Sequence, residues 1–201
     1  MPPPVKQYDQ RYFDKWYRHP RHRIASPAEL KRKVSLVVSL AEMILERPIR
    51  SVLDVGCGEG RWQPVLARLR PRARYLGIDP SPYVVRRFGR RRNIRLGRFE
   101  RLEAAGLDHR YDLIVCSDVL HYVNRRQMVR GLSSLVALMD GLACLEVFTS
   151  ADDIEGDHQG FRRRSASAYR TILREAGLIP CGMQCYVRKE DAAWLDALAL
   201  L

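Results

Sequence analysis

Residues 52–60 read VLDVGCGEG and place three glycines and an acid directly after an apolar run. RSVLDV (50–55) has the pattern of a buried strand, and GRWQPVLARL (60–69) that of the helix that follows it. In such a strand–turn–helix setting, Gly56, Gly58 and Gly60 permit a tight turn and let a ligand approach the main chain. The helix start adds free N–H groups. A nucleotide is the expected occupant, and the flanking acids decide which one.

Asp54 stands two residues before the first glycine, inside the end of the strand. A carboxylate there would repel the pyrophosphate of NAD, which is held near a helix N-terminus. It suits a ligand that carries positive charge close by. Asp79 ends a second strand, ARYLGID (73–79), 19 positions after Gly60, where an acid can accept both ribose hydroxyls. Together the two acids select adenosine with a cationic tail over a dinucleotide. S-adenosylmethionine fits, because its ammonium needs an acceptor and its ribose needs a diol partner.

Short apolar runs alternate with helical ones along the rest of the chain, which predicts an α/β fold with a mainly parallel sheet. Ser81 and Pro82 start a helix over 81–90, as an N-cap and a first-turn proline do. Further strands are expected at 93–97, 111–117 and 141–148, with a helix capped by Asn124 over 124–139. A polar loop then leads to a helix over 167–177, a last strand in LIPCGMQCYV and a terminal helix in EDAAWLDALALL. Before the first strand lie a periodic helix over 28–45 and an aromatic, basic segment over 8–24. The opening MPPP reads as a frayed terminus.

VLDVGCGEG, YLGIDPS and YDLIVCSDVLHYV, in this order and spacing, resemble motif I, the post-I acid and the fourth-strand motif of class I S-adenosylmethionine-dependent methyltransferases. The resemblance covers about residues 50–150. It implies a doubly wound sheet of six or seven strands, with helices on both faces, an N-terminal helical lid and the cofactor across the carboxyl ends of the strands. A single domain is expected over 1–201: N-terminal helices and lid (1–48), cofactor-binding core (49–150) and acceptor-side region (151–201). Carried over residue by residue, Asp54 lies near the methionyl end, and Gly56, Cys57 and Gly58 give close backbone contact. Asp79 takes the ribose, Pro80 lines the adenine side, and Ser117, Asp118 and Val119 lie where cofactor and acceptor meet.

The chain departs from the family at two points. Arg98 stands where many members place an acid for the adenine amino group, so adenine falls to Phe99 and a backbone N–H, or to Glu100. The family also ends in a β-hairpin, whereas one strand is legible after the 167–177 helix. A six-stranded sheet edged by the terminal helix is therefore expected.

His121, just after strand four, has two readings: a general base for an acceptor hydroxyl or amine, or a packing residue at a helix entrance. His19 and His22 sit in a segment basic enough to be exposed, and Trp62 reads as core. Tyr8, Tyr12, Phe13, Trp16 and Tyr17 crowd one region that serves either as an amphipathic cover or as a lid that excludes water.

The composition, 46% hydrophobic and 29% charged, is that of a soluble globular protein, and neither a membrane span nor a secretory h-region is present. A cytoplasmic protein is expected. Its five cysteines form no C-x-x-C pair and read as reduced thiols rather than zinc ligands, so no metal is expected. The net charge of +12 comes mostly from arginines spread along the chain, densest over 86–101. Nucleic acid is possible on charge alone, but the basic stretch lacks interleaved aromatics apart from Phe88 and Phe99. No N/D-P-P-Y/F motif follows strand four, where SDVL stands instead. The reading is O- or N-methylation of a small molecule, with an RNA enzyme or a non-catalytic S-adenosylmethionine-binding protein as the alternatives.

Overall fold

Seven strands form one sheet in the order β3-β2-β1-β4-β5-β7-β6. They are β1 (Ser51–Val55), β2 (Arg74–Asp79), β3 (Ile94–Leu96), β4 (Tyr111–Ser117), β5 (Met139–Glu146), β6 (Leu178–Gly182) and β7 (Cys185–Arg188). The first five run parallel, and β7 pairs antiparallel with both β5 and β6. The computed structural model describes residues 6, 8–19, 26–107, 109–153 and 157–194. The frayed start at 1–4, His22 and the final residues of the expected terminal helix lie outside the described residues.

Among the described residues six α-helices accompany the sheet: α1 (Gln10–Phe13), α2 (Pro27–Leu45), α3 (Trp62–Leu69), α4 (Pro82–Arg92), α5 (Arg125–Ala137) and α6 (Ala166–Glu175). Local chemistry sets their starts. Ser26 and Asn124 build capping boxes with Glu29 and Gln127, and Ser81 and Ser165 accept from the N–H of Val84 and Ala168. The central strands β1, β4 and β5 are buried on both faces over most of their length, as those of a parallel sheet between helices must be. Val52, Leu113 and Val115 pack with Val34, Val38 and Ala41 of α2 and with Trp62 of α3. Leu53 and Ile114 face Met128, Leu132 and Leu135 of α5. Each such side chain contributes about 1.5–3 kcal/mol by leaving water.

The expectation of one final strand is corrected here. LIPCGMQCYV folds as a hairpin whose tip residues, Met183 and Gln184, both adopt positive φ (51° and 56°). The sheet therefore has seven strands and ends on β6, and Lys189–Trp194 is a short 3-10 turn. Gln184 ties the tip to the neighbouring chain: its side-chain oxygen accepts from the Val147 N–H at 2.6 Å, and its carbonyl accepts from the Leu145 N–H at 2.9 Å.

The aromatic N-terminal segment forms α1 and a wider turn over Asp14–Arg18, laid across the sheet's carboxyl end. Phe13 anchors it against Tyr83, Val84 and Phe88. No helix among the described residues is long and apolar enough to cross a membrane.

Candidate active site

The strand order reverses between β1 and β4, and a crevice opens at their carboxyl ends, as it does at switch points in open α/β sheets. A cavity of about 1230 Å³ occupies it. Every predicted site residue borders it: Asp54, Gly56, Cys57, Gly58, Asp79, Pro80, Phe99, Ser117, Asp118, Val119 and His121. That volume exceeds the roughly 300–1,000 Å³ of a single small-molecule pocket, so there is room for two ligands.

The glycine loop is fixed from below and pressed from above. Gly56 and Cys57 donate to the Ile78 carbonyl at 2.7 and 3.2 Å, which anchors the turn to β2. Gly56 (φ 70°) could not carry a side chain, since a Cβ would lie 2.2 Å from the Val119 methyl. At Gly58 (φ 53°) a Cβ would lie 2.5 Å from the Tyr17 hydroxyl, so the N-terminal segment roofs the loop. Arg18 pins that roof by an ion pair with Glu59.

Asp79 is 5% exposed, and its two oxygens accept from the Gly58 N–H at 2.8 Å and the Ser81 N–H at 2.9 Å. A carboxylate has about four lone-pair positions, so capacity remains for a diol. Burial pushes its carboxyl up to about 6, against the pull of those two N–H bonds. Asp54 is 3% exposed and accepts from the Tyr75 hydroxyl at 2.7 Å. Burial lifts it to about 7, with the Tyr75 bond opposing. Asp54 thus gains from positive charge on a ligand, and Asp79 from further hydrogen-bond donors.

Beyond β4 the cavity changes character. Asp118 sits at φ 59°, a left-handed conformation that costs a non-glycine residue about 1–2 kcal/mol. Its Oδ1 and the Ser117 Oγ are buried without a hydrogen-bond partner among the described residues. Burial, then the charge of Glu146, raises the Asp118 carboxyl to about 6. Glu146 itself is paired with Lys33 of α2. His121 is 2% exposed and boxed by Tyr122, Phe148 and Phe161, with ring centroids 4.4, 5.6 and 5.0 Å away. Its Nδ1 likewise has no partner among the described residues. Burial first, then Lys6 and Arg164, lowers the imidazole to about 4, so it is neutral at pH 7 and a weaker base than an ordinary histidine.

Phe99 borders the cavity with its ring turned toward α5, 4% exposed, where a Cβ on Gly131 would lie 2.2 Å from it. Arg98 and Glu100 both border the same side. Sequence reasoning missed Tyr75, Lys33 and Glu146. Tyr75 was findable, because it pairs with Val52 in register and so shares a sheet face with Asp54.

Residues 53–141 match the family described as a methyltransferase domain. Through this stretch, which is under half of its length, the chain is similar to methyltransferases. The chain is 33% identical over 84 residues to trans-aconitate 2-methyltransferase of Deinococcus radiodurans, covering 42% of this chain and 32% of that one. It is 25% identical over 156 residues to malonyl-[acyl-carrier protein] O-methyltransferase of Bacillus cereus, covering 75% and 56%. The chain thus spans about a third and about half of the lengths of these relatives. In fold, the chain resembles magnesium protoporphyrin IX methyltransferase of Synechocystis PCC 6803, solved with bound SAH (TM-score 0.60, 19% identity, 90% and 93% of the two chains).

Proposed function

We propose that this protein is an S-adenosylmethionine-dependent methyltransferase acting on a small-molecule acceptor. The observation that carries the reading is the pair of buried, partly satisfied acids, Asp54 and Asp79, flanking a side-chain-free loop in one cavity that continues past β4. Asp54 faces the cationic methionyl end, and Asp79 accepts the ribose hydroxyls. Gly56, Cys57 and Gly58 lie against the cofactor through their main chain, and Pro80 and the Phe99 backbone border adenine. Ser117, Asp118 and Val119 stand where the methyl group is exposed to the acceptor. The unpartnered Ser117 Oγ and Asp118 Oδ1 are polar atoms that such a ligand would satisfy.

S-adenosylmethionine, when bound, supplies a methyl group already made electrophilic by its sulfonium. The chain's own task is to position an acceptor in line and to keep water out. The tyrosine-rich roof does the second. His121, neutral in its aromatic box, meets the acceptor's reacting group as a hydrogen-bonding partner and weak base. A roofed crevice suits a small acceptor better than a nucleic-acid strand, and the five free thiols suit a cytoplasmic setting.

Calorimetry of the intact protein with S-adenosylmethionine and S-adenosylhomocysteine tests the reading. Micromolar binding of both is expected; absence of binding refutes it. Salt-sensitive binding to RNA would favour the nucleic-acid alternative instead.

A further inference from the structure

The chain carries a net charge of +12, yet its cavity is bordered by eight carboxylate residues and four cationic ones. Asp54 and Asp79 belong to the donor half. Glu100 lies on the adenine side and Glu29 at the start of α2, whereas Asp118, Glu146, Asp153 and Asp157 follow β4 and β5, and two cations near them are already engaged. Lys33 is paired with Glu146, and Lys6 with Asp157 at 2.5 Å. Arg164 donates to the carbonyls of Leu120 (3.2 Å) and Val123. Arg32 stands exposed on α2.

Two polar atoms at this end are sealed from water without a partner among the described residues: Asp118 Oδ1 and Nδ1 of the 98% buried His121. Asp118 also keeps a left-handed backbone (φ 59°), the kind of strain retained where a side chain must be aimed. The walls are aromatic, with Tyr12, Trp16, Tyr122 and Phe148 bordering the cavity. They already hold an alkylammonium, that of the chain's own Lys6. Its Nζ lies 3.7 Å from the Tyr122 ring centroid, 5.1 Å from Tyr8 and 5.4 Å from Tyr12. Ring faces attract cations and give nothing to a carboxylate.

We infer that the acceptor is an amine on an apolar or aromatic body, with Asp118 as the group that holds its nitrogen. The inference rests on the donor reading above. A carboxylate acceptor would lie among Asp118, Glu146 and Asp153, whose neighbouring cations Lys33 and Lys6 are already paired, which leaves the exposed Arg32 of α2 as the cation on this border. An amine brings N–H groups to the unpartnered carboxylate. It also gains positive charge as the reaction proceeds, where a fixed carboxylate stabilises it. The nitrogen lone pair forms the N–CH3 bond while the S–CH3 bond breaks, its electron pair staying on sulfur as a thioether. The proton then in excess on nitrogen leaves to water.

The test uses the intact protein and two sets of probes in calorimetry. Sinefungin, which carries a primary ammonium in place of the sulfonium methyl, places a cation at the transfer point without any assumption about the acceptor. It should bind at least tenfold more tightly than S-adenosylhomocysteine. Asp118→Asn should abolish that advantage, and a wild-type far-UV circular dichroism spectrum with cooperative melting shows that the variant is folded. An advantage that persists in Asp118→Asn, or never exists, overturns the role of Asp118. On the S-adenosylhomocysteine complex, 2-phenylethylamine should bind at least tenfold more tightly than phenylacetate. An equal response, including none to either, or a preference for the acid, overturns the amine assignment. Failure of S-adenosylhomocysteine to bind the wild-type protein sinks the donor reading itself, and with it this one.

Discussion

Asp54→Asn is expected to make the free protein more stable and a poorer binder of its donor. The carboxyl is 3% exposed and is lifted by burial from 3.8 to about 7, the Tyr75 bond opposing. A folded-state value above the unfolded one means that its contribution to stability is fully present below pH 4 and is lost as pH rises through 7. Each pH unit between those limits is worth about 1.4 kcal/mol, so ionising Asp54 inside the folded chain costs about 4 kcal/mol in full and about 3 kcal/mol between pH 5 and 8. Asparagine keeps a carbonyl for the Tyr75 hydroxyl, 2.7 Å away, and carries no charge. Urea unfolding of both proteins at pH 5 and pH 8 reads the difference. The variant should gain about 2–3 kcal/mol on the wild type over that interval. Asp79 and Asp118 titrate in both proteins, and the charge of Asp79, which helps to raise Asp54, enters the gap only through that coupling. S-adenosylmethionine affinity should fall at least tenfold at pH 8. A stability gap that does not change with pH would show Asp54 already ionised in the folded chain at pH 5, and the reasoning from burial would fail.

Asp79→Ala should weaken S-adenosylmethionine binding by about 1–3 kcal/mol and also lower the melting temperature, because the N–H groups of Gly58 and Ser81 lose their acceptor; unchanged affinity in calorimetry would show the ribose to be misplaced. Met183→Asn should raise stability by about 0.5–1 kcal/mol, read as a melting temperature a few degrees higher, since asparagine tolerates the positive φ of 51° better. Lys6→Met should release the N-terminal segment from Asp157 and Tyr122, and limited proteolysis within residues 8–19 should quicken on the order of tenfold, about 1.4 kcal/mol of lost closure.

The donor half was legible because its determinants are nearly contiguous. Asp54 and the glycines share one turn, Asp79 ends the next strand, and parallel pairing of β1 with β2 brings them together automatically. The hairpin was not legible, because its turn uses Met183 and Gln184 where the two positive φ values favour Asn-Gly or Asp-Gly. The β5 edge compensates through the bonds from Val147 and Leu145 to Gln184, and those depend on tertiary placement. The direction of the Phe99 ring was not legible either, because it depends on the bare Gly131 of α5, which packs against it. The acceptor end drew on α2, the loops after β4 and β5, and Lys6, segments far apart in sequence with no shared spacing to betray them.

Leu36 on α2 (47% exposed) and Met183 at the hairpin tip (74% exposed) both border the cavity, and neither belongs to the glycine loop or the paired acids. A substitution at either reshapes the opening without unseating the donor. On the proposed reading, substitutions on these two separate segments would change which acceptor fits while Asp54, Asp79 and the glycine loop stay as they are.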